Sequence, residues 1–121
     1  MTTITVDIPA AMWLSSNHRH HWRAKASRTA EIRLLARYAA RDLAPVAWPA
    51  NCDVSVGLPT ARRFDPHNSA PSLKACLDGI VDAGILPDDS SDHIPATTFR
   101  RDPEPTPRGR YRLTIRLEPI A

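Results

Sequence analysis

The chain has 121 residues, of which 42% are hydrophobic and 24% charged, with a formal net charge of +3 and a pI near 9.3. This length predicts a single domain over residues 1–121, because two half-sized domains would each bury too small a core. A basic chain favours anionic partners, and arginine, which supplies nearly all the positive charge, pairs with phosphate through two parallel hydrogen bonds. A GC-rich genome also enriches arginine and alanine, so the composition leaves both explanations open.

The cysteines and the apolar segments indicate a cellular location. Cys52 and Cys76 fall on apolar positions, which predicts buried thiols rather than a disulfide. No signal region opens the chain, and no apolar run approaches the ~20 residues of a membrane span. We expect a cytoplasmic protein of a bacterium, or of a phage in its host, that uses no membrane and no small-molecule cofactor.

The first half of the chain predicts a strand, a basic loop and a helix. Residues 3–8 alternate between apolar and polar, which is strand periodicity. Residues 9–26 contain no acidic residue and have no clear period, so a loop is predicted there. A helix is predicted to begin near Ser27 or Arg28 and to end before Pro45. Its apolar stripe is predicted to comprise Ile32, Leu35, Ala39 and Leu43.

Alternation returns in residues 51–58, which predict a second strand. A second helix is predicted from Ala70 or Pro71 to Ala83, because proline is favoured at a helix start. Gly84 is placed to end this helix.

The last part of the chain predicts two strands, at residues 94–101 and 110–117, joined by a Pro-rich loop over residues 102–108. The element order is then β-α-β-α-β-β. A single mixed sheet with both helices on one face is the simplest way to bury every apolar stripe, so the predicted class is α+β.

Two acidic groups stand out in this basic chain, both within residues 62–89. Asp65 and His67 stand two apart, so that in an extended segment their side chains point to the same side and can bind one metal ion. Asp88 and Asp89 form the second group. Taken alone, the first segment favours a turn and the second a solvated loop.

Lys74 links the two groups. On the first turns of the second helix it lies near the Asp65 turn, where it can hold a phosphate. The alternative is a surface pair with Asp78, one helical turn later. A helix of about 20 Å separates Asp65 from Asp89, so they meet only if the chain folds back or if Asp89 comes from a second subunit. We therefore raise the hypothesis of a metal site shared across a dimer interface.

The predicted basic loop carries His18, His20 and His21 without the second ligand cluster that a zinc site needs. A DNA-contacting loop is the better interpretation, and Trp13 and Trp22 either stack on bases or, as we favour, pack locally. The predicted DNA-binding residues are Asn17, Arg19, Arg23, Lys25, Arg28, Arg62, Arg63, Asn68, Arg100 and Arg101. Further outward arginines, predicted to cradle the DNA arms, are Arg33, Arg37, Arg41, Arg108 and Arg110.

Residues 62–89 resemble the RusA-type endonucleases, a family of Holliday junction resolvases common in bacteria and phages. That family has a D-x-D-N pattern after the second strand, a lysine early on the second helix and an L-x-D-D pattern after it. The opening segment IPAAMWLSSNHRHHW is also similar to the family's first strand and loop, so the resemblance covers nearly the whole chain. The matching positions are Asp65, His67, Asn68, Lys74, Leu86, Asp88 and Asp89.

The resemblance implies a RusA-like fold and a homodimer that resolves four-way junctions by paired symmetric nicks, in DNA recombination and repair. It implies catalytic roles for Asp65, Lys74 and Asp89, with a divalent ion, usually Mg²⁺, held by Asp65, His67, Asp88 and Asp89. His67 stands where the family has its second aspartate. An imidazole at this position favours Mn²⁺ and offers a base that activates water.

Two other functions fit the same residues. His67 is compatible with a protein that recognises branched DNA without cutting it. The basic composition is also compatible with a small phage-type module that binds a protein partner. Junction binding in EDTA, followed by cleavage with Mg²⁺ or Mn²⁺, distinguishes the three.

Overall fold

The alternating segments of the sequence form one sheet. In the computed structural model, which describes residues 1–120, the strands are β1 (Thr2–Pro9), β2 (Ala50–Gly57), β3 (Thr97–Arg101) and β4 (Arg110–Pro119). Their order is β1-β4-β2-β3, with β4 antiparallel to β1 and β2, and β3 parallel to β2. The predicted element order and the α+β class with one mixed sheet are therefore confirmed.

The sheet buries one face. On β4, Ile115 stands between Ile4 of β1 and Val54 of β2, and all three are at most 1% exposed. Both helices cover this face and contribute to the same core cluster. The opposite face is polar and is bridged by an ion pair of 2.6 Å between Asp7 and Arg112. This one-sided burial explains why the strands alternate so cleanly in sequence.

The first helix, α1 (Trp22–Ala40), begins earlier than the predicted start at Ser27 or Arg28. The side chain of His21 accepts a hydrogen bond from the backbone N–H of Arg23 and so caps the helix. The first turns of α1 are exposed. Because they bury no apolar stripe, the helical period is absent from this part of the sequence, and the predicted loop was too long.

Within residues 1–120, no helix is long and apolar enough to cross a membrane.

The buried stripe of α1 also differs from the prediction. Ile32, Ala36 and Ala40 are fully buried, whereas Leu43 lies beyond the helix and is 37% exposed. Alanines form this stripe because a second helix, α2 (Ala70–Asp82), packs closely against it. The helix ends before Pro45, as predicted, but too early to include Leu43.

The helix α2 (Ala70–Asp82) follows a single 3₁₀ turn, Pro66–Ser69, and connects the parallel strands β2 and β3. Arg33 of α1 donates two hydrogen bonds to Asp82 of α2, at 2.5 and 2.7 Å. This contact holds the pKa of Asp82 below its usual range. Beyond α2, Gly84 has a φ of +83°, a conformation that favours glycine and that ends the helix.

The cysteines are buried free thiols, as predicted. Burial raises the pKa of Cys52 to about 12 and also raises the pKa of Cys76.

The third strand is shorter than predicted. Ile94 is buried but lies before β3, because Pro95 has no N–H to donate to a neighbouring strand.

Candidate nucleic-acid interface and acidic site

Asp65 and His67 lie in a capped turn, not in an extended segment. The carboxylate of Asp65 accepts a hydrogen bond of 3.1 Å from the backbone N–H of His67, and its Oδ1 lies 3.3 Å from the ring Nδ1. The turn interpretation of this segment is confirmed, and the turn itself brings the two side chains together. The ring of His67 also lies 5.4 Å from that of Phe99 on β3. Both polar side chains are more than half exposed, which leaves them open to a ligand.

The loop after β1 is anchored to the start of α2. Ser72 is fully buried, and its hydroxyl donates to the carbonyl of Leu14 at 2.7 Å and accepts from the N–H of Leu14 at 2.9 Å. Nearby, Ser16 donates from its N–H and its hydroxyl to the carbonyl of Asn68, at 3.0 and 3.2 Å. These contacts hold the loop against the Asp65 turn.

A cavity of about 320 Å³ opens between this loop and the segment that follows β2. Its wall includes Arg62, whose guanidinium donates to the hydroxyl of Tyr111 at 2.9 Å. Tyr111 in turn stacks on Trp13 at a centroid distance of 4.3 Å, and Trp13 is only 4% exposed. The packing interpretation of Trp13 is therefore confirmed. The lining residues are Trp13, Ser15, Asn17, His18, Arg62, Arg63, Phe64, Asp65 and Asn68.

This cavity combines basic, amide and imidazole donors with one carboxylate. Four of the predicted DNA-binding residues line it, together with the predicted catalytic Asp65; they are Asn17, Arg62, Arg63 and Asn68. The carboxyl end of a strand next to a parallel crossover is a common place for ligands in sheets with helices. The donors in this cavity suit a phosphate group.

Lys74 joins two carboxylates. Its ammonium donates to Asp89 at 2.6 Å and to Asp78 at 3.0 Å. The chain thus folds back after α2 and brings Asp89 to Lys74, and the Lys74–Asp78 pair considered from the sequence forms as well. These hydrogen bonds, the one to Asp89 foremost, raise the pKa of Lys74. The Asp89 side chain is 13% exposed and that of Lys74 is 61% exposed.

Asp88 makes a different contact from Asp89. Its carboxylate accepts a hydrogen bond of 2.8 Å from the backbone N–H of Asp89. This bond is the main reason why the pKa of Asp88 lies below its usual range. Asp88 therefore stabilises its own loop.

Within residues 1–120, the acidic side chains do not assemble into one metal site. Asp89 contacts Lys74 in the second turn of α2, whereas Asp65 caps the turn that precedes the helix. Among residues 1–120, no three histidine, cysteine, aspartate or glutamate side chains converge where they could hold a metal ion. The donor types suit Mg²⁺ or Mn²⁺, but one chain in this arrangement does not assemble a complete site.

Several of the predicted DNA-binding arginines are engaged in the fold itself. Arg28 donates to the carbonyl of Trp13 at 3.1 Å. Arg100 donates two hydrogen bonds to Asp53, at 3.1 and 3.0 Å. Arg101 donates to two backbone carbonyls in the segment after β2, at 2.7 and 3.1 Å. Their guanidinium groups therefore have structural partners in the absence of DNA.

The remaining basic residues are more available. Arg23 lies over the ring of Trp22 at 5.0 Å, and both are exposed near the start of α1. Arg19 and Lys25 line a second cavity, of about 450 Å³, next to the first. Arg19 and Arg63 are exposed and line these two cavities. These side chains are free to meet a polyanion.

Two positioning residues, Ser72 and Tyr111, were missed in the sequence. A serine beside the apolar stripe of a helix signals that a buried hydroxyl needs a partner. The identity of that partner, Leu14, has no local signal, because 58 residues separate the two. Tyr111 was predicted to face the core, and its hydroxyl reaches past the core to Arg62.

No protein-family model matches the chain, and no curated protein matches it significantly. Function is therefore inferred from the residues and their geometry.

Proposed function

We propose that this chain is a metal-dependent endonuclease that binds four-way DNA junctions and resolves them by paired symmetric nicks. The observation that carries the proposal is the cavity beside Asp65, in which arginine and amide donors surround a carboxylate. The RusA-like pattern of residues 62–89 adds the expectation of a homodimer that acts in recombination and repair. A bacterial or phage protein of the cytoplasm is the corresponding setting.

DNA binding is assigned to the basic side chains that have no structural partner. Arg19, Lys25 and Arg63 surround the two cavities and contact backbone phosphates in this proposal. Arg100 and Arg101 are assigned to the fold because of their hydrogen bonds. Each phosphate contact releases counterions, so junction affinity should fall steeply as the salt concentration rises. A salt-independent affinity would contradict this assignment.

The acidic residues are assigned to a divalent ion, Mg²⁺ or Mn²⁺. Asp65, His67, Asp88 and Asp89 would hold it, and the ion would supply positive charge to the phosphate under attack. Since these residues do not converge within one chain, the proposal requires either that DNA draws them together or that two subunits share the site. It also requires Lys74 to release Asp89, and Lys74 is then free to contact the phosphate.

The test is cleavage of a labelled synthetic junction, beside a linear duplex of the same sequence, with Mg²⁺, with Mn²⁺ and with EDTA. We expect paired nicks near the branch point that EDTA abolishes. Asp65→Asn and Asp89→Asn should each remove cleavage while junction binding persists. Glu118→Gln, which changes an exposed carboxylate near the end of β4, is the matched control and should cut like the wild type. Cleavage that survives both site substitutions would refute the assignment.

Mixing the two inactive proteins distinguishes a shared site from one within a chain. If the site lies across two subunits, a mixed dimer of Asp65→Asn and Asp89→Asn contains one intact site and regains nicking. If the site lies within one subunit, neither chain carries both carboxylates and activity stays absent.

A second candidate function is recognition of branched DNA without cutting. It is favoured because no three metal-ligating side chains converge within residues 1–120, and because an ammonium group pairs with Asp89. Tight junction binding in EDTA, with no nick in either metal, would support it. His67→Asp is then the first variant to make, since it restores the carboxylate of the family pattern.

A further inference from the structure

The outward face of α1 carries two large exposed hydrophobic side chains. Leu34 is 58% exposed and Tyr38 is 66% exposed, one helical turn apart. They lie away from the buried stripe that packs against α2 and the sheet. Single exposed hydrophobic residues are ordinary, but adjacent large ones on one helix face favour an interaction surface. A shallow groove of about 500 Å³ runs along this face, lined by Glu31, Leu34, Leu35, Arg37, Tyr38 and Arg41.

The charges on this face follow a symmetric order. Glu31, Leu34, Tyr38 and Arg41 are spaced by three, four and three residues, so they form one stripe whose midpoint is Ala36. Glu31 stands at one end of the stripe, and Arg41, the residue that follows α1, stands at the other, with its guanidinium over the ring of Tyr38 at 3.7 Å and 3.6 Å from Asp42. When two copies of this stripe lie antiparallel, the acidic end of each copy faces the basic end of the other.

We propose that a second copy of this chain docks antiparallel on this face of α1 and forms a two-fold symmetric dimer. About a two-fold axis level with Ala36, Glu31 faces Arg41 of the partner subunit, and Leu34 faces Tyr38 of the partner subunit. The axis creates each contact twice. A parallel arrangement would instead place like charges opposite each other, which disfavours it.

This inference rests on the proposed function only for the expectation of a dimer, and it adds the interface. A two-fold pair of subunits presents two copies of the Asp65 cavity to one junction, as paired nicks require. The interface residues lie on a different helix from Lys74. Dimerisation is therefore measured without DNA or metal, and its failure is separate from failure to cut.

Sedimentation velocity of the full chain over a range of concentrations tests the interface. Glu31→Arg and Arg41→Glu each replace two attractive contacts by two repulsive ones, so we expect each to weaken dimerisation by about tenfold or more. The double variant Glu31→Arg/Arg41→Glu restores opposite charges and should recover the wild-type dissociation constant. Leu34→Glu should weaken the dimer by roughly 100-fold, since it places a charge in the apolar centre.

Leu43→Glu is the matched control, because it adds the same charge at an exposed leucine beyond α1 and should leave the dimer unchanged. Circular dichroism melting verifies that each variant is folded. A wild-type protein that stays monomeric throughout would overturn the proposal. So would a dimer that persists in Leu34→Glu, and a double charge reversal that stays monomeric would overturn the antiparallel pairing.

Discussion

Gly79 provides a sharp test of how α1 and α2 pack. It is buried in α2, and a Cβ built on it would overlap the carbonyl oxygen of Arg33 and lie 2.9 Å from both the Cβ of Ala36 and the backbone N of Arg37. Backbone atoms of a packed helix cannot rotate away as the end of a long side chain can. Alanine at this position therefore forces the two helices apart.

The magnitude follows from two opposing effects. Replacing glycine by alanine inside a helix stabilises it by about 1 kcal/mol. Overpacking a well-packed contact costs about 1–3 kcal/mol, and we take about 3 kcal/mol because the nearest atoms belong to the backbone. The net expectation for Gly79→Ala is a loss of about 2 kcal/mol, which for a chain of 121 residues lowers the melting temperature by about 8 °C.

Urea unfolding followed by circular dichroism measures this loss. Gly84→Ala is the comparison, because Gly84 has a positive φ but no heavy atom within 4 Å of a built Cβ. That variant should lose roughly 1 kcal/mol through backbone strain alone. If Gly79→Ala proves as stable as the wild type or more stable, α1 and α2 do not approach as closely as described, and the reasoning fails.

Three further predictions concern the site. Ser72→Ala leaves the buried N–H and C=O of Leu14 without partners, so unfolding should require about 2–4 kcal/mol less, and an unchanged stability would contradict the anchor. Lys74→Met frees Asp89; since the ammonium is largely exposed, the pair contributes only about 1 kcal/mol, and calorimetry should show roughly fivefold tighter Mn²⁺ binding. An equal or weaker affinity would show that the ammonium does not compete with the ion. The lowered pKa of Asp88 means that its contribution to stability is complete above the unfolded pKa of about 4 and is lost as the pH falls through the folded value. In urea titrations, the free energy of unfolding of Asp88→Asn should therefore fall less steeply than that of the wild type as the pH is lowered. An equally steep fall would refute the role of the Asp89 N–H.

The sequence predicted the sheet well because β1 and β4 bury only one face. In β4, the side chains that point into the core are those of Tyr111, Leu113, Ile115 and Leu117, and arginines point outward. Apolar and polar residues therefore alternate along the sequence of this strand. The local pairs of the site were also accessible. Asp65 caps the turn that contains His67, and Lys74 pairs with Asp78 one helical turn later. Each of these contacts joins residues at most four positions apart.

The start of α1 was missed for the opposite reason. Its first turns are exposed and bury no apolar stripe, so the residues there show no helical spacing of apolar side chains. Local capping by His21 determines this helix end. Propensity was the only signal, and it is weaker than burial.

Tertiary structure alone decided which distant groups meet. The contact of Lys74 with Asp89 spans 15 residues, and those of Ser72 with Leu14 and of Arg62 with Tyr111 span 58 and 49. A local pattern in the sequence reports whether a side chain faces the core or the solvent, but it carries no information about which distant segment lies opposite. That choice is made when the helices and loops pack on the sheet, and in this chain it brings basic donors around Asp65 while it keeps Asp89 beside an ammonium.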